Sequence, residues 1–429
     1  MAISERIREI KTGFTSSFWV ANSLELFERL AFYGQQAVLA IYLFENLKLT
    51  EVETGSLIGI FGGVIYFLPI LAGALSDRFG FKKSLTFAFS GLAIGYFFLG
   101  QTSSQWFQTT FHSAPLYWII FFILMLTAMG GSFIKPSVVG TVAKTSKEKT
   151  KSLGYSIYYT IVNIGGALGP IIAFFVRENI GIQNVFNVSA ISCTLMVIAT
   201  LLFYKEPKVH EETEVRTVGR ALANMFLVLK NLKFVLFLLI FSGFWMMFFE
   251  LYIALPLYLR SYVDPNAPVD LLLSIGALTI IFFQVMVSFI TRKIAPLHAM
   301  VLGFIISSFS MLLIASVAHL YIVVVALVVW AIGEMTQAPR YYEYISTLAP
   351  KGQEGLYMGY AFLPISIGAI VAGPLGGFLV QYFGKEIQQP RLMWLVIASI
   401  GLIAALLLYV YNKIFVGQKN VQHEYAASE

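Results

Sequence analysis

The chain has 429 residues, of which 58% are hydrophobic and only 12% charged, and its mean hydropathy is +0.77. That is far more apolar surface than one aqueous core can hide, which excludes a soluble enzyme on a single anchor and predicts an all-α integral membrane protein. The net charge of +6 is expected to report membrane orientation rather than nucleic-acid binding.

The N-terminal stretch to Phe14 carries Arg6, Arg8 and Lys11. The apolar run after it is too long for a signal-peptide core and lacks a small-residue cleavage site, so it is expected to remain in the mature protein. A helical span needs about 20 apolar residues. Reading apolar segments between charges and Gly/Pro punctuation predicts twelve: roughly 17–47, 52–76, 83–100, 115–143, 152–176, 185–204, 234–260, 270–291, 296–316, 319–348, 353–382 and 392–412. β-Barrel strands would be shorter and would alternate.

With the N-terminus inside, most of the 29 basic residues fall in cytoplasmic segments, while the opposite loops hold only Lys48, Arg177, Arg260, Lys385 and Arg391. The expectation is a plasma membrane of the bacterial inner-membrane type, with both termini cytoplasmic.

The longest connection, 205–233, is highly charged and contains an amphipathic-looking stretch from Arg220 to Lys230. It divides the sequence into an expected six-helix bundle over 1–204 and a second over 234–429 with a short tail. The halves echo one another. Gly130 to Pro136 matches Gly333 to Pro339 in Gly–Pro spacing, and Gly169-Pro170 matches Gly373-Pro374 at almost the same offset. Paired six-helix halves are the mark of transporters that expose a midplane site alternately to each side.

The segment Gly73-Ala-Leu-Ser-Asp77-Arg78-Phe-Gly80-Phe-Lys82-Lys83 resembles the loop signature of the major facilitator superfamily. The resemblance implies that Asp77 and Arg78 latch neighbouring helix ends and act in conformational change. The alternative is a loop that is merely positive and sets topology.

Ionisable groups inside a bilayer are expensive unless paired or hydrated, so they mark function. There are eight candidates: Glu25, Glu28 and Arg29 in the first span, Lys135 in the fourth, Glu250 in the seventh, and Glu334, Arg340 and Glu343 in the tenth. Together they predict a hydrated polar cavity. Glu25, Glu28 and Arg29 stand at i, i+3 and i+4 on one helix face, and Lys135 is a compact cation whose charge responds to desolvation. A carboxylate beside two cations can exchange a partner for a proton, which is the chemistry of a proton coupler. The five histidines, His112, His210, His298, His319 and His423, fall in loops or at span edges, so the carboxylates would carry the proton. The single cysteine, Cys193, allows no disulfide within the chain.

At these residues the sequence resembles the proton-dependent oligopeptide transporter family. Glu25-Leu-Phe-Glu28-Arg29 with Phe32-Tyr33-Gly34 is similar to its first-helix signature. Gly130 to Pro136 is similar to its Gly-rich Lys-Pro span, and Tyr158-Tyr159 with Asn163 and Gly165 to its fifth-helix pattern. Gly333-Glu334 and Leu348-Ala349-Pro350 with Gly355 match positions in and after its tenth helix. The resemblance implies the twelve-helix superfamily fold and proton-driven symport of di- or tripeptides. It implies proton coupling through Glu25, Glu28, Arg29, Lys135 and Glu250, and Tyr33, Asn163 and Glu334 around the peptide, with Glu334 facing its amino group.

Three departures bear on substrate. Where the family carries an arginine two positions after its Tyr-Gly, this chain has Gln36; Arg340 replaces that cation or pairs with Glu343 at i+3. Glu250 follows Phe244-Trp245 by five residues rather than the family's four, about 100° further around a helix. The extra helices that bacterial members often carry between the halves are missing. Trp245, Trp330 and Gln284 are further expected pocket residues, with Tyr33 foremost.

No phosphate loop, metal-ligand cluster or Ser-His-Asp arrangement is present in the sequence, so the expectation is no enzyme and no cofactor, with an ion gradient as the energy source. The partners expected are a peptide-like small molecule, protons and lipid, and the protein is expected to be a monomer. The alternative function is proton-driven export of amphipathic drugs or other small organic anions.

Overall fold

The computed structural model describes residues 13–146, 150–207, 228–349 and 354–417. Arg6, Arg8, Lys11 and most of the amphipathic stretch from Arg220 lie outside them. Hydrocarbon offers no partner for backbone N–H and C=O groups, so apolar runs must satisfy them internally as helices. Among the described residues the chain is accordingly helical, apart from one bridge between Phe14 and Ser146.

The chain forms two compact units, Met1–Leu49 with Val64–Leu222, and Thr50–Gly63 with Ala223–Glu429. The division near residue 222 falls inside the charged connection. Residues 50–63 belong with the second unit, where Ser366 Oγ donates to Gly63 O (2.8 Å) and Lys385 pairs with Glu51 (2.7 Å).

The helices are α1 (Ser16–Ile41), α2 (Glu51–Phe67), α3 (Pro69–Phe79), α4 (Phe81–Gln101), α5 (Leu116–Gly131), α6 (Ile134–Thr145), α7 (Lys151–Ile180) and α8 (Gln183–Phe203). They continue with α9 (Leu232–Glu250), α10 (Val269–Thr291), α11 (Pro296–Ser316), α12 (Leu320–Leu348), α13 (Leu363–Gln381) and α14 (Leu392–Asn412), with short helices in the connections. In the first unit α1 packs on α6, α7 and α8, and α4 on α5 and α8; in the second α11 packs on α12 and α14, and α9 on α13 and α14. Large apolar side chains turned outward, such as Phe282 and Val285 on α10, suit a lipid surface.

Among the described residues ten helices are long and apolar enough to cross a membrane, or eleven with α2 and α3 taken as one bent span. The expected span 17–47 is not among them because α1 carries Glu25, Glu28 and Arg29 within its length. The expected span 52–76 is bent by 44° at Leu68, where Pro69 supplies no N–H to close the turn. Prolines also break two others. Pro136 cannot donate to the Ser132 carbonyl, and the fourth span divides into α5 and α6 at Ser132–Phe133. Pro256 cannot donate to Tyr252, and the seventh turns at Leu251–Ile253, directly after Glu250.

The turn between α3 and α4 is built on Gly80, whose φ of 90° suits only glycine. The orphan N–H groups at the start of α4 are met from far along the chain: Glu206, just past α8, accepts from Phe81 N and Lys82 N at 2.7 Å each. Lys82 Nζ donates back to Leu201 O (2.9 Å), and Ser17 Oγ to Lys205 O (2.7 Å). Beside them Tyr204 is hydrogen-bonded to Thr141; burial pushes its phenol up, against the pull of that bond. A carboxylate at a helix N-terminus stabilises by about 1 kcal/mol through these bonds and the helix dipole. Glu206→Ala is therefore expected to lower the thermal midpoint by about 2 °C; an unchanged midpoint in a fluorescence melt contradicts the clamp.

Candidate functional site

The charged face of α1 is buried in the first unit. Glu25 and Glu28 are fully buried and Arg29 is 5% exposed. Arg29 sits between them: its Nε lies 3.4 Å from Glu25 Oε1 and also donates to Glu28 Oε2. The outer oxygens, Glu25 Oε2 and Glu28 Oε1, are buried with no hydrogen-bond partner among the described residues. Tyr158 of α7 donates to Glu25 Oε1 (3.3 Å). One guanidinium thus shares two carboxylates that retain unused acceptor capacity, so a proton can substitute for Arg29 on either.

The break before α6 brings Lys135 to the same place. Lys135 Nζ lies 5.5 Å above the Tyr66 ring, and Arg29 lies over the rings of Phe32 (5.0 Å) and Tyr33 (5.9 Å). Arg29, Phe32, Tyr66, Gly131 and Lys135 line one small, partly open cavity of about 20 Å³, room for about one water or one carboxylate oxygen. Gly165 of α7 makes this possible, since a Cβ there would stand 2.3 Å from Arg29 Cβ. Gly165→Val is expected to displace Arg29, at an overpacking penalty of about 1–3 kcal/mol, and to reduce transport at least tenfold with the folded protein still recoverable. Wild-type transport by the valine variant contradicts the role given to this contact.

The other expected residues fall as follows. Gln36 is buried beside Gln35, whose Nε2 donates to it (3.4 Å). Asn163 is turned to its own helix, donating to Tyr159 O (2.8 Å). Asp77 pairs with Lys144 of α6 (3.6 Å), whose ammonium lies over Phe81 (4.4 Å); Arg78 lies over Phe79 (5.5 Å). Asp77 thus ties the end of α3 to the end of α6.

Glu250, Trp245, Gln284, Glu334 and Arg340 belong to the second unit. Glu250 closes α9; it is fully buried, neither carboxylate oxygen has a partner among the described residues, and it lies against Gly376 of α13. Glu334 is half-buried on α12, one turn after Trp330. Trp330 itself is 2% exposed and stacked on Phe244 (5.1 Å), so it is helix packing rather than the pocket wall expected. Trp245 is half-buried against Phe248 (5.1 Å). Arg340 takes the pairing alternative, donating to Glu343 (2.6 Å) and to Thr291 O at the end of α10 (3.0 Å). Gln284 donates to Ser288 on its own helix (2.9 Å).

Sequence reasoning missed Tyr66, Gln35 and Glu206. Tyr66 and Gln35 carry no local signal, because each becomes informative only beside Lys135 or in the interior. Glu206 offered one, an acid placed directly after a span and before Pro207.

The model of the Major Facilitator Superfamily matches residues 24–351 and 267–424. The chain belongs to this superfamily. It is therefore a multi-pass membrane transporter. Among curated proteins it is similar to the multidrug resistance protein MdtH of Salmonella newport and of Salmonella typhimurium, each 23% identical over 380 residues that cover 88% of this chain and 90% of the relative. Among solved structures it is similar to a POT family transporter in complex with 5-aminolevulinic acid, with a TM-score of 0.75 at 18% identity, covering 92% of this chain and 95% of that one. The nucleoside transporter NupG matches with a TM-score of 0.74 at 14% identity, covering 92% and 99%. Both share the superfamily fold with this chain.

Proposed function

We propose that this transporter is a proton-coupled symporter of di- or tripeptides, or of a related small zwitterionic solute, working by alternating access in a plasma membrane with both termini cytoplasmic. The observation that carries the reading is Arg29 held between two fully buried carboxylates, with Lys135 on the same small cavity. Protonation of Glu28 removes the charge that holds Arg29 on that side, and the guanidinium is released to Glu25 or to a substrate carboxylate. Deprotonation restores the pair. A carboxylate-bearing solute and the Glu28 carboxylate therefore compete for Arg29, and protonation of Glu28 favours the solute, which ties occupancy by one to occupancy by the other. The fold likeness to transporters whose structures contain 5-aminolevulinic acid or a peptide conjugate supports the same ligand class.

The test is uptake of labelled dialanine into proteoliposomes under an inward proton gradient. Accumulation that an uncoupler abolishes is the expected result, and no uptake above protein-free vesicles overturns the peptide assignment.

A second reading, proton-driven export of amphipathic compounds, is favoured by the similarity to MdtH, whose name is multidrug resistance protein. It predicts gradient-driven loss of a lipophilic dye from cells that express the protein, and no dialanine uptake.

A further inference from the structure

Glu25 and Glu28 stand one turn apart on α1 and share the guanidinium of Arg29, yet they share it unequally. Arg29 Nε donates to Glu28 Oε2, while Glu25 Oε1 lies 3.4 Å from the same nitrogen. By the guanidinium alone Glu25 is the less firmly held of the two, and a single proton entering the cluster would go to it. Arg29 would then stay on Glu28, and no cation would be released to a substrate.

Tyr158 of α7 acts against that order. Its phenol donates to Glu25 Oε1 (3.3 Å), whereas Glu28 receives no hydrogen bond from outside α1 among the described residues. A donor on a carboxylate supports its charged form. The other groups within electrostatic reach do not supply such a donor: Lys135 on α6 acts on both carboxylates, Cys193 on α8 and Tyr96 on α4 lie on the Glu28 side, and Tyr33 faces Arg29.

The phenol is anchored from its far side. The Tyr158 ring packs against the buried cluster of Phe14, Phe18 and Val142, in which Phe14 and Phe18 stack at 4.0 Å. Gly154, one turn earlier on α7, admits that cluster, since a Cβ there would stand 3.1 Å from Phe14 and 3.3 Å from Phe18. Packing thus fixes the ring and leaves its hydroxyl for Glu25.

We propose that Tyr158 is a positioning residue that keeps Glu25 as the standing anion of the cluster, so that the incoming proton settles on Glu28 and Arg29 passes to Glu25. The proposal deepens the symport reading and rests on it for its purpose; the order of protonation itself needs no substrate.

The experiment is infrared difference spectroscopy of the full-length protein in vesicles, titrated with pH and followed at the carbonyl stretch of a protonated carboxyl group. The expected wild-type result is a band that Glu28→Gln removes and Glu25→Gln keeps. In Tyr158→Phe, which retains the ring and its packing, the band should instead be removed by Glu25→Gln and kept by Glu28→Gln. Gradient-driven dialanine accumulation by Tyr158→Phe should fall about tenfold, the effect of one hydrogen bond to a charged group. A purely structural role would move the melting midpoint without passing the band from one residue to the other. A band that follows Glu25 in wild type, that follows Glu28 in both backgrounds, or that neither glutamine variant removes overturns the assignment. Dialanine-dependent acidification of the same vesicles is scored separately: acidification with a Glu25 band in wild type leaves symport standing and overturns the role of Tyr158, and the expected pair of band assignments without acidification does the reverse.

Discussion

Glu28→Gln is expected to abolish gradient-driven accumulation while leaving counterflow exchange. Glutamine keeps the shape and one oxygen for Arg29, but it cannot take up or release a proton, so the pair is locked in one charge state. One proton moving through about 100 mV carries about 2.3 kcal/mol, enough for a roughly 50-fold substrate gradient. The variant should bring that ratio to about one. Exchange of labelled for unlabelled substrate needs only the loaded protein to change conformation and should persist. The two assays run on the same proteoliposomes, and continued concentration of substrate by the variant removes Glu28 from the coupling step.

Lys135→Ala should impair both coupling and affinity for carboxylate-bearing solutes. Lys135 and Arg29 share a cavity of about 20 Å³ with the rings of Phe32 and Tyr66. Removing one cation leaves Arg29 as the single positive group on that cavity, already engaged by Glu25 and Glu28. Charge-assisted hydrogen bonds contribute about 1.5–3 kcal/mol, so affinity for a peptide with a free C-terminus should fall about 10- to 100-fold. A peptide amide lacking that charge should lose much less. Equal losses for acid and amide would assign Lys135 a role in folding rather than in binding.

The order of the helices could be read from composition, because a bilayer requires long apolar runs and nearly every expected span has a helix at its place. The Glu25–Arg29 pair could be read too, being a local i, i+4 relation. Bends and breaks at Pro69, Pro136 and Pro256 were written in the sequence as prolines, yet Pro170, Pro339 and Pro374 lie inside unbroken helices. Proline alone does not decide. What stayed hidden depends on distant partners. Gly165 matters because it admits Arg29, Tyr66 because Lys135 comes to rest above it, and Glu206 because the start of α4 lies beside the end of α8. Arg340 had two readings from its spacing, and only the position of the Thr291 carbonyl separates them.

The central claim is that substrate and proton move together through the Glu25–Glu28–Arg29 cluster. The most direct measurement is the internal pH of proteoliposomes holding a trapped pH-sensitive dye, with dialanine added outside and no imposed gradient. The account predicts internal acidification that requires dialanine and is lost in Glu28→Gln. Dialanine entering the vesicles without any change of internal pH would contradict it.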